Sequence, residues 1–367
     1  MPSQGPLKGL RVLEFAGIGP APHACMLLSD MGARVIRIDR PGAAAPDPTD
    51  ATVRGRLGTV SLNLKDSAER ATAEDLIEAA DVLVEACRPG VMERLGLGPD
   101  RALARNPRLI YGRMTGWGQT GPLSQMAGHD INYISLCGAL ASIGPAGGKP
   151  TLPLNLVGDY GGGSLYLVTG ILAALLERHR SGCGQVVDAA ICDGAASLMA
   201  LPNWLLRQEQ NDPREERGVN VADGGRFFNN SYECADGKYI AVGSIEPQFY
   251  RQLCEAIGVA DDPLFMPQSY AAAGARERIV RAEAIFRTKT RDEWCAIFEG
   301  RDACFTPVLW PSEAPHHPHN ADRGIFVELG GVPQPAPAPR FGRTPAAIQG
   351  LTPAEPRTAA EMLALWD

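Results

Sequence analysis

Long apolar runs are missing from this sequence, and so is any obvious targeting segment. The longest apolar stretch, Leu165–Leu176, is shorter than the roughly 18 residues that a membrane-spanning helix requires. Met1–Lys8 has neither the apolar core of a signal peptide nor the pattern of an organelle-targeting peptide. We therefore expect a cytoplasmic protein that has no membrane partner.

The nine cysteines are scattered and include no Cys-x-x-Cys pair. A disulfide framework or a zinc site is therefore not expected, and a reducing compartment fits this pattern. His316, His317 and His319 lie close together between prolines, and we expect them in an exposed loop rather than at a metal. The sequence thus predicts no bound metal.

An excess of positive charge is also absent. The formal net charge is −7, which argues against a nucleic-acid partner. Apolar residues make up 45% of the chain and charged residues 21%, a mixture that is ordinary for a globular protein. Because 367 residues exceed what one core usually carries, we expect two domains.

What the sequence does contain begins with a βαβ pattern. Leu10–Phe15 is predicted as a strand, Ala21–Met31 as a helix and Ala33–Asp39 as a second strand, which implies parallel pairing. The intervening turn, Gly17–Pro22, is not Gly-x-Gly-x-x-Gly, since prolines replace the residues that would approach a pyrophosphate. A dinucleotide site is therefore disfavoured, although Asp39 occupies the place of a ribose-binding acid.

The alternation of strands and helices continues and predicts an α/β fold with a Rossmann-like, doubly wound sheet. In such a sheet the ligand binds at the carboxyl ends of the strands. Further strands are predicted at 59–64, 81–85, 109–114 and 185–190, with helices at 131–140, from the glycines at 161–163 to about residue 180, and at 191–206.

Changes in composition give the predicted domain boundaries. A large domain covers 1–206, a charged linker broken by Pro213 covers 207–229, and a small α+β domain covers 230–310. The remainder, 311–367, begins with the proline-rich stretch 311–345, which we expect to be an extended linker that returns to the large domain.

The segment Gly128–Tyr133 places His129 beside Asp130 at the predicted start of a helix. The positive end of the helix dipole would hold this imidazole neutral and able to accept a proton. A lone histidine near an apolar helix is more often structural than catalytic, so the motif requires partners.

Two carboxylates are candidate partners of His129. Asp159, in Gly158–Gly163, either caps a helix or acts as a base or nucleophile that the glycines leave accessible. Glu246 follows a predicted strand and either caps the next helix or orients a histidine. The spacing alone leaves both alternatives open.

Basic residues follow several predicted strands in this acidic chain. They either bind a polyphosphate, since guanidinium groups match phosphate oxygens, or form a solvated rim. The residues are Arg37, Arg40, Arg54, Arg56, Lys65, Arg88 and Arg94.

Together these segments resemble the class III CoA transferases, the formyl-CoA transferase-like family, and within it the racemase branch that acts on 2-methylacyl-CoA thioesters. The strings Gly128–Tyr133 and Ile245–Tyr250 are typical of that branch, whereas Gly158–Asp159 with the glycines that follow is shared with the transferases. The resembling segments are Leu10–Phe15, Gly17–Pro22, Gly32–Gly42, Arg88–Gly96, Asn106–Gly121, Ala127–Tyr133, Asn155–Gly163, Tyr232–Gly237 and Gly243–Tyr250.

The resemblance implies an interlocked homodimer that binds an acyl-CoA thioester, without a separate cofactor, in fatty-acid metabolism. Residues matching family positions for the CoA moiety are Ile18, Arg40, Leu62, Asn63, Leu64, Lys65, Arg88 and Arg94. Those matching positions around the thioester are Gly128, Asp130, Ile131, Asn132 and Tyr133.

The resemblance also assigns catalytic roles. His129 and Asp159 match the two acid/base residues, on the S and R faces respectively, while Glu246 matches the acid that pairs with the histidine and Asn155 a supporting amide. Two bases suit this chemistry, because the weakly acidic proton α to a thioester is removed from one face and replaced on the other.

The sequence departs from the family pattern at Gly224–Asn229, a segment expected near the acyl pocket, and at Gly58, where a basic residue is usual. Two alternatives therefore accompany the racemase interpretation. One is a CoA transferase in which Asp159 is the nucleophile, and the other is a CoA-ester binding protein without turnover.

Overall fold

The computed structural model describes residues 4–205, 207 and 216–366 and divides the chain into two compact units. Unit 1 comprises Met1–Cys137, Leu154–Leu198 and Pro318–Asp367, and unit 2 comprises Gly138–Pro153 and Met199–His317. Of the linker predicted at 207–229, residues 208–215 lie outside the described residues.

The strands form three sheets. In chain order they are β1 (Arg11–Phe15), β2 (Arg34–Asp39), β3 (Arg56–Ser61), β4 (Val82–Glu85), β5 (Ile110–Thr115), β6 (Gln185–Ala190), β7 (Asn229–Glu233), β8 (Tyr239–Gly243), β9 (Phe305–Val308), β10 (Phe326–Leu329) and β11 (Val332–Pro335). The first six form a sheet of order β3-β2-β1-β4-β5-β6 in which every neighbouring pair is parallel. The predicted α/β fold with a parallel sheet is therefore confirmed.

The helices lie between and after these strands. In chain order they are α1 (Pro20–Asp30), α2 (Ser67–Ala79), α3 (Val91–Arg94), α4 (Pro99–Arg105), α5 (Asp130–Leu136), α6 (Ala139–Ser142), α7 (Leu165–Ser181), α8 (Ile191–Leu198), α9 (Ala200–Leu205), α10 (Pro247–Ala256), α11 (Ala275–Phe286), α12 (Arg291–Phe298), α13 (Pro318–Arg323) and α14 (Ala359–Trp366). A π-helical segment, Leu156–Ser164, leads directly into α7.

The six-stranded sheet is covered on both faces, as its alternating side chains require. Val12 of β1 points into a core shared with Leu28 of α1 and Ile171 of α7. Its neighbour Leu13 points into the opposite core, with Leu76 of α2 and Met362 of α14. Helices on both faces make this a doubly wound arrangement, whose strand order changes direction between β1 and β4.

The helical stretch Leu156–Ser181 is long and apolar enough to cross a membrane, with a mean hydropathy of 1.2, and 44% of that window is buried in the protein. Buried core helices share this length and composition. Leu167, Ile171 and Leu175 of α7 lie in the core of unit 1, whereas Leu165 and Leu176 are exposed.

Several predicted boundaries are wrong for local reasons. The strand predicted at 59–64 is β3, Arg56–Ser61, because the Asn63 side chain accepts a hydrogen bond from the Lys65 N–H and turns the chain. The helix predicted at 131–140 ends at Leu136, since Gly138 adopts a positive φ of 86° that breaks it into α5 and α6. The helix predicted at 191–206 is likewise two helices, α8 and α9.

Unit 2 contains the antiparallel sheet β7-β8-β9 and helices α10, α11 and α12. The predicted hairpin is confirmed by the antiparallel pairing of β7 with β8. Its core is rich in aromatic side chains, in which Phe227 contacts both Tyr250 and Phe265 edge to face.

The stretch 311–345 is not simply the extended linker that was predicted. It contains α13 and the antiparallel hairpin β10-β11. Gln334 of that hairpin is buried, and both polar atoms of its amide are hydrogen-bonded there. It donates to the Pro48 and Leu329 carbonyls and accepts from the Arg54 guanidinium. Strand pairing within the stretch and the hydrogen bonds of Gln334 to Pro48 and Arg54 therefore hold this proline-rich segment in regular structure.

Candidate active site

A pocket of about 520 Å³ opens at the carboxyl edge of the parallel sheet. Residues Ile18–Pro20 follow β1, Ala86–Pro89 follow β4, Met114–Trp117 end and follow β5, and Ile191 follows β6. The pocket therefore occupies the switch point of the strand order, where ligands bind in doubly wound sheets. Its volume is that of a site for a small molecule.

His129 lines this pocket at the N-terminus of α5. It is the N-cap residue in extended conformation, and its backbone N–H donates to the Asn132 side chain at 3.0 Å. The first N–H groups of a helix have no acceptor within the helix, so this end of α5 presents positive partial charge beside the imidazole.

Asp159 lines the same pocket from the π-helical segment. The alternative that Asp159 is merely an N-cap is wrong. Asp159 is the fourth residue of the π-helical segment, which begins at Leu156, and the N-cap residue is Asn155. The Tyr160 N–H donates to the Asn155 carbonyl, five residues earlier. Such π-helical turns are frequent at functional sites because they redirect side chains.

Close packing holds the π-helical segment against its neighbours. Gly162 and Gly194 face each other so closely that a Cβ on Gly194 would lie 1.9 Å from the Gly162 carbonyl oxygen. On another side His23 of α1 stacks on the Tyr160 ring at 4.1 Å, and its Nδ1 lies 2.7 Å from the Ser164 hydroxyl. These contacts fix the backbone that carries Asp159.

The electrostatic surroundings of Asp159 favour its protonated form. Burial raises the pKa of Asp159 most, and the nearby Asp130 carboxylate raises it further. The Asn155 side chain and His129 lower the pKa of Asp159, but do not cancel the increase. Asp159 is therefore suited to hold a proton as well as to release one.

One wall of the pocket is aromatic. Trp117 meets Tyr133 edge to face with ring centroids 4.7 Å apart, and the Tyr133 hydroxyl donates to the Gly128 carbonyl. A Cβ on Gly116 would lie 2.0 Å from the Tyr133 ring, so only glycine allows the ring to occupy this place. The wall is rigid and borders His129 directly.

Two thiols, Cys87 at the pocket and Cys192 directly after the pocket residue Ile191, do not supply a nucleophile. Cys87 lines the pocket, where burial and the Glu85 carboxylate raise its pKa to about 11. Burial and Asp193 raise the pKa of Cys192 to about 11 as well. Both sulfurs are protonated near neutral pH, which leaves His129 and Asp159 as the acid/base pair.

The predicted basic residues fall into two groups. Arg37, Arg54 and Arg56 are not phosphate ligands, because they pair with Asp39, Asp30 and Glu14 at 2.9, 2.6 and 2.7 Å. Arg54 and Arg56 are almost fully buried. The acidic partners of Arg54 and Arg56 are distant in the sequence, and Asp39 is two residues after Arg37 on the same strand. The charge pattern along the chain therefore does not reveal these ion pairs.

The other four cations remain available to a ligand. They are exposed, and within the described part of the chain none forms an ion pair. All follow strands at the carboxyl edge of the sheet, and Arg88 lines the pocket itself. The four are Arg40 after β2, Lys65 after β3, and Arg88 and Arg94 after β4.

The structure brings six of the predicted site residues to the pocket and places the others elsewhere. Those at the pocket are Ile18, Arg88, Gly128, His129, Tyr133 and Asp159. Leu62, Asn63, Leu64 and Lys65 lie in the turn after β3, while Ile131 and Asn132 lie on the exposed side of α5. Glu246 belongs to unit 2, where it is the exposed N-cap residue of α10.

The side chain of Asp130 does not line the pocket directly. The sequence resemblance places it among the residues around the thioester, but its side chain is buried and is not part of the pocket wall. Its carboxylate instead accepts the Asp159 backbone N–H at 2.7 Å.

Sequence reasoning missed Gly116, Trp117 and Cys87 as pocket residues. Their positions in the sequence could have identified them. Each follows a predicted strand of the parallel sheet and therefore lies at the carboxyl edge, where ligands bind. His23 was also missed, because its contact with Ser164 joins residues 141 positions apart.

No group of three or more His, Cys, Asp or Glu side chains in residues 4–205, 207 and 216–366 is arranged to hold a metal ion. The side chains that line the pocket include acid/base groups, two aromatic rings and an arginine.

The divergent segment at 224–229 forms part of the core of unit 2. Arg226 is buried and donates hydrogen bonds to the Tyr270 and Val219 carbonyls, at 2.7 and 2.8 Å. Phe227 and Phe228 lie in the aromatic core beside it. Within unit 2, therefore, this departure has a structural role.

Comparison with known proteins identifies relatives of this chain in sequence and in fold. Alpha-methylacyl-CoA racemase of Mus musculus is 44% identical over 341 residues, which cover 93% of this chain and 87% of the mouse protein. The Homo sapiens protein of the same name is 43% identical over 343 residues, with the same coverage of 93% and 87%. Among solved structures, a CAIB/BAIF family protein from Brucella suis has the same fold, with a TM-score of 0.84 at 24% identity over 99% of this chain and 100% of that one.

The match to a family model extends over almost the whole sequence. The model of CoA-transferase family III aligns with residues 7–357, and so includes the pocket and both units. This chain belongs to CoA-transferase family III.

Proposed function

We propose that this protein is a racemase that interconverts the (R) and (S) epimers of 2-methylacyl-CoA thioesters. The observation that carries the proposal is the presence of His129 and Asp159 in one pocket at the switch point of the sheet. The family assignment and the 43–44% identity to proteins named alpha-methylacyl-CoA racemase support the same substrate class.

The reaction needs two groups that exchange roles. For the (S) epimer, neutral His129 removes the α-proton and protonated Asp159 delivers a proton to the opposite face, while the (R) epimer reverses these steps. The raised pKa of Asp159 supports this scheme, because a carboxyl group must be protonated for part of each cycle. The thioester oxygen becomes an enolate, and the N–H groups at the start of α5 are suited to stabilise its charge.

The CoA moiety would bind along the carboxyl edge of the sheet. The exposed cations Arg40, Lys65, Arg88 and Arg94 form no ion pair with any residue that the structure describes, and are therefore suited to phosphate groups. Leu62, Asn63 and Leu64 in the turn after β3 would contact the adenine, and Ile18, which is 79% exposed, would contact the substrate at the pocket.

The active protein in this proposal is an interlocked homodimer in the cytoplasm. In the assembled dimer Glu246 of unit 2 would pair with His129 and orient its ring, and Asn155 would support Asp159. Exposed apolar side chains on unit 1, including Leu154 and the α7 residues Leu165 and Leu176, support association, because contact with another protein surface would remove them from water. The reaction requires no separate cofactor, and its place would be fatty-acid metabolism.

Incubation of a single epimer of 2-methylacyl-CoA with the protein in deuterated water tests the proposal. We expect conversion to a mixture of epimers together with uptake of deuterium at the α-carbon, measured by chiral chromatography and mass spectrometry. Transfer of CoA to an added carboxylic acid, without deuterium uptake, would contradict the racemase assignment.

A CoA transferase remains the second candidate because Asp159 is accessible at the pocket. Gly19 lies so close that a Cβ there would be 3.3 Å from the Asp159 carboxylate oxygen, and its absence leaves space for an acyl group to approach. In that reaction the carboxylate would attack the thioester and form a mixed anhydride. The alternative gives His129 no role, and the same incubation separates the two reactions.

A further inference from the structure

We propose that Asp130 is a positioning residue that fixes the two proton-transfer residues relative to each other, an inference that rests on the proposed racemase function. Asp130 follows His129 directly, and its carboxylate accepts a hydrogen bond from the Asp159 backbone N–H at 2.7 Å. One side chain thus joins the start of α5, which carries His129, to the π-helical segment, which carries Asp159.

The packing around Asp130 leaves its side chain little freedom. It is 8% exposed, and a Cβ on Gly158 would lie 2.3 Å from its Oδ2. Glycine at 158 therefore allows the π-helical backbone to approach the carboxylate. A side chain held this closely transmits any displacement of α5 to Asp159 and keeps the two bases at a constant separation.

The second carboxylate oxygen indicates that stability alone does not explain this residue. Oδ1 of Asp130 is buried and has no hydrogen-bond partner in the described part of the chain. An unsatisfied buried polar atom costs free energy. A carboxylate kept where it is only half satisfied is typical of a functional site.

The charge of Asp130 has a separate effect. It raises the pKa of Asp159, in addition to the larger effect of burial. Asparagine at position 130 would keep an oxygen that accepts the Asp159 N–H but would remove the charge. The two contributions of Asp130, geometry and charge, can therefore be separated by substitution.

Other titratable groups also surround Asp159. Of those that affect it, His129 lowers its pKa. Further titratable groups on the same and adjacent elements are Tyr160 of the π-helical segment, Tyr133 of α5, His23 of α1, Cys192 and the exposed Asp193 of α8, and Arg88 after β4. None of these is altered by a substitution at position 130, so a change in the pH profile would report on the Asp130 charge.

The test compares D130A, D130N and wild-type protein in the epimerisation assay from pH 5 to 9. We expect D130A to lower kcat by about a hundredfold with KM nearly unchanged, because a displaced base slows the chemical step without removing a contact to the CoA ester. D130N should restore kcat to within about fivefold of wild type, since it keeps the hydrogen bond in weaker form.

The pH profile of D130N provides the second measurement. Loss of the Asp130 charge lowers the pKa of Asp159, so the acidic limb of kcat/KM should move to lower pH for both epimers. The limb belongs to the coupled pair of His129 and Asp159, and both directions of the reaction use the same singly protonated pair. D193N removes an exposed carboxylate of α8 and should leave the limb where it is in wild type.

The outcomes distinguish a failure of the role proposed for Asp130 from a failure of the proposed racemase function. Wild-type kcat in folded D130A, or a loss confined to KM, would overturn the positioning role, and an unmoved acidic limb in D130N would overturn the charge effect. Should D130A fail to fold, folded D130N still tests the proposal, because a kcat far below the expected range of about fivefold, or an unmoved acidic limb, would overturn it. Wild-type protein that does not epimerise its substrate overturns the proposed function, whereas normal epimerisation by all variants overturns only the role of Asp130.

Discussion

At the level of single residues, the chemistry of this site arises from environment rather than from residue type alone. A histidine and an aspartate occur in most proteins, but His129 occupies a helix N-terminus and Asp159 lies half-buried beside a second carboxylate. These surroundings favour the protonated form of Asp159, which shares one pocket with His129. Such paired environments are typical of acid/base catalysis.

Substitution of either base is the direct test of this pairing. We expect His129→Ala and Asp159→Ala each to lower the rate of epimerisation by at least about a hundredfold, because each removes one of two required proton-transfer groups. CoA binding should persist, since the exposed cations at the sheet edge are unchanged. Epimerisation rates in both directions and the affinity for CoA would be measured.

A fully active His129→Ala enzyme would contradict the two-base scheme. Ser135→Ala, which removes an exposed hydroxyl from the same helix, is a matched control and should retain the wild-type rate. An unchanged thermal unfolding temperature in the variants would show that lost activity does not reflect lost structure.

The candidate site was predictable from sequence only in part. The family resemblance assigned His129 and Asp159, which spacing alone left open, and the positions after the strands indicated the cations. They did not reveal that Arg54 and Arg56 form buried ion pairs, because Asp30 and Glu14 are 24 and 42 residues away from them. Contacts of this kind depend on the tertiary fold, which the local pattern does not contain.

At the level of helices and strands, regular segments were easier to predict than the irregular segment that carries Asp159. Short apolar segments alternating with helical segments located the six parallel strands, and β6 was predicted with the observed bounds. The π-helical segment Leu156–Ser164 could not be predicted, since its apolar and glycine residues fit an ordinary helix start equally well. Packing against α1, α5 and α8 decides its conformation.

Gly158 offers a test of that packing. In Gly158→Ala the new Cβ would lie 2.3 Å from the Asp130 Oδ2 and 3.0 Å from the Ile134 side chain, so the π-helical segment must shift. We expect a loss of about 1–3 kcal/mol in the free energy of unfolding, as for other overpacked sites. A fall in kcat should accompany it, because the Asp159 backbone moves with the segment.

Gly342→Ala is the matched control. Position 342 has no atom within 4 Å of an added Cβ and no positive φ, so neither stability nor kcat should change by more than a small amount. Denaturant unfolding and steady-state kinetics of both variants would be compared. A Gly158→Ala protein with wild-type stability and activity would show that the segment tolerates displacement.

At the level of the whole molecule, helix α7 carries apolar side chains on its solvent-exposed side as well as on the side that faces the core. Leu167, Ile171 and Leu175 of α7 face the core, while Leu165 and Leu176 are 50% and 66% exposed. A helix that is apolar all round is normally buried all round. The exposed side of α7 is therefore suited to contact another protein surface, and in the proposed homodimer that surface is a second copy of the chain.

Charge placed on this side of α7 should prevent association. In the double variant Leu165→Glu/Leu176→Glu, two carboxylates would have to be buried without partners, which costs several kcal/mol, whereas the isolated chain would bear them in water. We expect the wild-type protein to sediment with twice the mass of one chain and the variant with the mass of a single chain. Val280→Glu, which alters a 47% exposed residue on the charged helix α11, is the control and should remain dimeric.

Because Glu246 is proposed to reach His129 only in the assembled dimer, the monomeric variant should also lose most of its epimerase activity while retaining its helical content. A monomeric wild-type protein, or a double variant that remains dimeric and active, would contradict this use of the α7 surface.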